Sequence, residues 1–265
     1  MKVFKTQVCP ECNNPVQIVG LYCENRETDL FAKHLKNENK RLKKISRFNE
    51  QNKQNCKYFT GRECKDPFKP IVKGEMEKIL CRTMRDNFDK VVYFWEVLTG
   101  IKLGKEKAKK YLENWIDGKI YRCTYCTSST LSLSLKCAQE PTSLLYSWID
   151  CKSNLYDYIS TNLKEAFCFE DTSIAKWKKI VKKDGFASLD FNFLPYYKRI
   201  TNNSGCVERM TMQVIARYKD KEVIKEIELK IESDYWDNIM NMKNWSSNEA
   251  LLNLAKEQFK GMNLD

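Results

Sequence analysis

The residues with the clearest chemistry in this 265-residue chain are two cysteines with two residues between them, Cys9-Pro10-Glu11-Cys12. Thiolates at that spacing turn around one ion in a tight knuckle, and a tetrahedral zinc then takes two more soft or borderline ligands from elsewhere in the chain. The proline inside the knuckle and Asn13-Asn14 after it suit a turn whose backbone amides face the sulfurs. The single histidine, His34, is separated from Cys12 by 21 residues, and Cys56 from His34 by another 21. A Cys3His site built from Cys9, Cys12, His34 and Cys56 would explain how so polar a segment folds. Cys23 and Cys64 are the alternatives for the last ligand. Cys56 ranks first because a basic helix over Leu42 to Gln54 would return it to the knuckle. The competing reading is two ordinary reduced thiols, with His34 a polar residue on a Lys-rich helix. A redox role for the pair would need the strand-to-helix junction of a βαβ unit, which the pattern lacks.

A second pair, Cys123-Thr124-Tyr125-Cys126, follows an expected strand at Lys119 to Arg122, with Cys137 or Cys151 as completions. Cys123, Cys126 and Cys137 are thus a candidate second metal set, against the reading of buried thiols acting as small hydrophobes. Asp190, Glu228 and Lys230 fall on expected strands and have the residue types of a PD-(D/E)xK nuclease, with carboxylates for Mg²⁺ and a lysine for water. The preferred reading is a solvent-facing row of cross-strand charges. His34 is committed to zinc, which leaves no partner for a Ser or Cys nucleophile. Nine thinly spread glycines form no Walker loop and no GxGxxG, so no nucleotide cofactor is expected.

Charge is concentrated near the N-terminus. The chain carries a formal +11, and the window Lys33 to Lys57 holds nine basic residues against two acidic ones. Lys40, Arg41, Lys43, Lys44, Arg47 and Lys53 are the candidate nucleic-acid-binding residues on the expected helix, with Phe48, Tyr58 and Phe59 nearby to stack on bases. Smaller basic clusters follow at Lys105 to Lys110 and Lys176 to Lys183. The alternative is a solvated Lys-rich face.

Hydrophobic residues at 42% and aromatics at 12% exclude disorder throughout. Twelve cysteines, about 4.5% of the chain, fall below the roughly 8–10% of a disulfide scaffold. The longest apolar run, Val91 to Trp95, is far short of the roughly 18 residues of a membrane span. The N-terminus has no apolar h-region, so a soluble protein in a reducing cytoplasm is expected.

The elements that must position these residues divide the chain in two. Residues 1–70 read as a small zinc-finger domain, with short strands at Val3 to Val8 and Pro15 to Tyr22 flanking the knuckle. Residues 71–265 read as an α+β body with helices over 75–183, an antiparallel sheet over 186–231 and terminal helices over 233–260. Met76, Leu80, Met84, Phe88, Val91, Val92 and Trp95 recur at helical steps up to Thr99-Gly100. Ala108, Tyr111, Leu112 and Trp115 repeat the spacing before Gly118. A third helix is expected after Pro141, over Leu144 to Ile159, and a short basic one over Ile174 to Val181. Period two then takes over around Leu189 to Phe193, Met210 to Tyr218 and Val223 to Ile231, with a hairpin turn near Lys219-Asp220. Ser246 to Glu249 has the spacing of a capping box for a final helix.

The run VCPECNNPVQIVGLY, a lone histidine about twenty residues on, and NCKYF after a comparable gap resemble the N-terminal zinc finger of a family of uncharacterised bacterial and phage-borne proteins. Their later portions are similar to FDKVVYFWEVLTGIKLGKEKAKKYL and the strand-rich tail. The resemblance covers the first sixty residues best. It implies Cys9, Cys12, His34 and Cys56 as the zinc set and implies no reaction. The functional expectation is a non-catalytic, zinc-binding, nucleic-acid-binding accessory protein of a phage or other mobile element. The alternative is a protein-interaction or inhibitor module with a structural zinc, and a nuclease comes third.

Overall fold

Apolar residues at three- and four-residue steps between Met76 and Trp95 force a helical stripe onto the core, and one asparagine divides it. In the computed structural model the stripe forms α1 (Glu75–Asp86) and α2 (Phe88–Thr99), which meet at Asn87 with φ −135° and ψ 31°. The long helix expected from periodicity is therefore two, although Asn87 N–H still donates to Thr83 O. The structure describes residues 6–9, 14–19, 31–35, 49, 53, 75–123, 125–137, 139–183, 185–202 and 205–264.

Gly100 ends α2 in the left-handed region at φ +70°, and a Cβ there would lie 2.3 Å from Ser153 Cβ, so no larger residue fits. After α3 (Lys105–Asp117) the chain makes a single 3₁₀ turn at Ile120–Arg122 where a strand was expected, then the short α4 (Leu131–Ser134). The helix expected after Pro141 begins thirteen residues past that proline, as α5 (Asn154–Asn162), capped by Ser153 Oγ accepting Tyr156 N–H. Before it come two short strands, β4 (Thr142–Ser143) and β5 (Trp148–Asp150), numbered after the three N-terminal strands β1–β3 described below. The basic helix expected at Ile174 to Val181 is a strand, β7 (Trp177–Lys182), flanked by β5 and β6 (Phe167–Asp171) in an antiparallel sheet. Burial at Trp177 and Ile180 mimics a helical three-residue step, and only the partners on either side settle the strand.

The meander matches expectation. Strands β8 (Ser188–Asn202), β9 (Gly205–Tyr218) and β10 (Lys221–Glu232) pair antiparallel, with β4 on the β8 edge. Pro195 cannot donate to the ladder, and the register slips between Phe193 and Tyr197. The β9–β10 turn is the two residues Lys219 and Asp220, both left-handed at φ 47° and 60°, the primed geometry that suits strand twist. Helices α6 (Ser233–Met240) and α7 (Glu249–Gln258) follow. The α7 cap is Asn248, whose side chain accepts Leu251 N–H, and not the Ser246 of the expected capping box.

The α+β core lies between the helices and the buried face of the meander. Trp95, wholly buried on α2, meets Phe193 of β8 edge-on at 5.7 Å and Tyr111 of α3 at 5.8 Å. Among the described residues no helix is long and apolar enough to cross a membrane.

Candidate metal centre

Three short strands set the N-terminal geometry. β1 (Thr6–Val8) pairs antiparallel with β2 (Pro15–Val19), and β2 with β3 (Phe31–His34). Val8 faces Pro15, and Cys9 N–H donates to Asn14 O at 2.8 Å, which closes the hairpin around the knuckle. Val16 faces His34 across the other seam, and Leu35 N–H donates to Pro15 O at 3.3 Å. Pairing therefore carries Cys9 and His34 to the same end of the sheet, where both are buried. His34 sits on a strand and not on a Lys-rich helix.

Asn14 clasps a third segment to this end. Its amide donates to Asn49 O at 2.9 Å and its carbonyl accepts Asn49 N–H at 2.7 Å, a two-bond link across 35 residues. Lys53 N–H donates to Asn49 O in one helical turn, and Cys56 follows three residues later in the sequence. Cys12, Cys56 and the alternatives Cys23 and Cys64 lie outside the described residues, as do Lys40, Arg41, Lys43, Lys44 and Arg47. A buried thiol and imidazole at one end of a small sheet are donors that suit zinc. Lys53, expected to face phosphate, is instead buried.

The second cysteine set is packed inside the body. Cys123, Cys126 and Cys137 are all buried, in a segment whose hydroxyls serve the interior. Ser134 Oγ accepts Trp115 Nε1–H at 2.8 Å, and Thr127 Oγ1 donates to the buried Glu208 carboxylate at 3.1 Å. These contacts satisfy part of the polar run 127–134 in the core, while the Ser129 and Ser132 hydroxyls are buried there with no hydrogen-bond partner among the described residues. Burial pushes the Cys137 thiol well up, and Cys126 and Cys123 nearby add to it. Among the described residues, which include all three cysteines, no group of three or more His, Cys, Asp or Glu is placed to hold a metal ion.

The acid-base trio is dispersed along the sheet. Asp190 faces Ile215 and Glu228 faces Thr211, four residues apart on β9, or about 13 Å of strand. Asp190 pairs with Arg217 at 3.5 Å, and Glu228 with Arg209 at 3.1 Å and Lys230 at 3.9 Å. This is the row of cross-strand charges. A cleft of about 410 Å³ between α2 and the α7 entrance holds Asp89 and Glu96. Asp89 accepts Trp245 Nε1–H at 2.7 Å and Asn248 N–H at 3.1 Å, and so holds the chain before α7. Burial raises the Glu96 carboxyl, which accepts Leu103 N–H at 3.1 Å.

Sequence reasoning missed how the two later basic clusters meet. Lys107 of α3 donates to Ser147 at 3.1 Å, and Lys176 and Lys179 flank the neighbouring strand β5. Comparison of the chain with protein-family models, curated proteins and solved structures returned no match.

Proposed function

We propose that the chain is a non-catalytic, zinc-stabilised nucleic-acid-binding protein. The observation that carries the zinc is the convergence of buried Cys9 and His34 on one end of the β1–β2–β3 sheet, with Asn14 clasping the segment that leads to Cys56. Cys12 and Cys56 complete the set in this reading, and the ion's role is to hold shape in a segment with little apolar core. Between Lys33 and Lys57, the eight basic residues besides buried Lys53, against two acidic ones, supply the attraction for phosphate. The resemblance noted in the first sixty residues bears on the zinc set alone, and an accessory role in a phage or other mobile element is part of this proposal.

The test is metal analysis of the purified chain with Cys9→Ala and His34→Ala alongside, joined to binding of a labelled oligonucleotide over a salt series. About one zinc per chain is expected, lost in both variants. Affinity should fall steeply with salt and disappear on charge reversal at Lys40, Arg41, Lys43 and Lys44. A zinc-free chain that remains folded over residues 1–70 overturns the metal reading. Absence of oligonucleotide binding at low salt overturns the nucleic-acid reading, and a salt-insensitive complex with a protein partner would put an interaction or inhibitor module in its place.

A further inference from the structure

The outward face of the β5–β7–β6 sheet carries alternating rings and ammonium groups. Trp148 of β5 lies directly across from Lys179 of β7, and Trp177, two residues from Lys179, is its diagonal neighbour on the same face. Lys102 reaches over both rings, 4.6 Å from the Trp148 centroid and 5.6 Å from that of Trp177. Lys176 covers Trp177 at 5.0 Å, and Lys179 lies 5.4 Å from the ring of Tyr146. The sequence of groups is thus Tyr146, Lys179, Trp148, Lys102, Trp177, Lys176. The opposite face of this sheet is filled by Ile149, Ile180 and Phe167, all buried in the core.

Tyr146 is the most informative member. Its ring is 57% exposed, yet its backbone sits at φ +64°, a region that non-glycine residues rarely adopt. Two hydrogen bonds hold it there, Tyr146 N–H to Ile180 O at 2.8 Å and Ile180 N–H to Ser147 O at 3.0 Å. A turn of this shape favours glycine, and a large aromatic ring in its place gains little packing beyond Lys179.

We propose that this face binds single-stranded nucleic acid, with bases stacking on exposed Tyr146 and half-buried Trp148, which buried Trp177 backs, while Lys102, Lys176 and Lys179 swing from the rings to the phosphates. The inference rests on the nucleic-acid reading above and adds a second contact surface that favours unpaired strands, because a base inside a duplex has no free face to stack. Three local carboxylates already pair with the sheet's lysines: Asp150 with Lys176 at 3.1 Å, Glu170 with Lys179 at 3.4 Å, and Asp171 with Lys178. Lys102 brings further positive charge to the face from outside the sheet, with the Glu96 carboxylate close to it and to Lys176. Charge alone is therefore modest here, and the rings supply the selectivity.

The experiment titrates the full chain with labelled dT and rU twelve-mers, a DNA duplex of matched length and polyglutamate of matched charge. Tyr146→Gly is the decisive variant. It removes the ring and suits the positive φ, so it should fold at least as well as the parent. Single-strand affinity is expected to fall about tenfold in Tyr146→Gly and in Trp148→Ala, a loss typical of one stacked base, with duplex affinity unchanged. Lys179→Glu should reduce single-strand binding and flatten its salt dependence. Single-strand affinity unaltered in both ring variants, or polyglutamate binding as tightly as the oligonucleotides, overturns this surface while leaving binding through the finger intact. Absence of binding to every nucleic acid overturns both readings.

Discussion

Lys136 is a lysine with almost no exposed surface, and its surroundings do little to welcome a charge. Its ammonium donates to Glu140 O and lies 5.9 Å from the Phe191 ring. Burial lowers its pKa to about 8, against an ordinary 10.5. Below pH 8 the folded and unfolded chains both hold this proton, and folding bears the full cost of burying the charge. Between pH 8 and 10.5 the unfolded chain binds more protons than the folded one, so this group's contribution to stability rises with pH. Comparison with Lys136→Met by urea denaturation isolates the effect from other titrations. Wild type should gain on the variant as pH rises from 8 to 10, and a constant difference would mean the amine is better solvated than its burial implies. At the same scale, Asn14 shows how a short side chain ties the N-terminal strands to a distant segment: its amide satisfies both backbone groups of Asn49, which no apolar residue of its size can do.

At the scale of elements, caps and partners decide boundaries that periodicity leaves loose. The capping-box spacing points to Ser246, but Asp89 accepts Asn248 N–H and Trp245 Nε1–H, which draws the chain in so that Asn248 becomes the cap. Asn248→Ala should therefore cost about 1 kcal/mol, read as a lowered thermal midpoint, and Ser246→Ala almost nothing. The reverse order would restore the cap to Ser246. The strand β7 makes a related point. Trp177, Lys178, Lys179 and Ile180 have the composition of a basic helix turn, and pairing to β5 on one side and β6 on the other makes them a strand. The meander escaped such ambiguity because period two runs unbroken over Met210, Met212, Val214 and Ala216, all buried.

For the whole molecule, all six tryptophans stand at Trp95 or later, so their emission reports on the body and is silent about residues 1–70. Chelation should thus make Cys9 reactive toward iodoacetamide while tryptophan emission and the body's unfolding transition hold; a shift in both would show finger and body folding as one unit. The α+β class, the meander, the stripes of α1 to α3 and the knuckle spacing were all readable in the sequence, because each is a pattern of period two, period 3.6 or short fixed separation. Other features could not be read there. Strand pairing brings His34 to the same end of the sheet as Cys9, a clasp joins Asn14 to Asn49, and Lys102, Trp148 and Trp177 gather on one face from three separate segments. Contacts between residues far apart in the chain depend on which surfaces pack, and local periodicity carries no record of the partner.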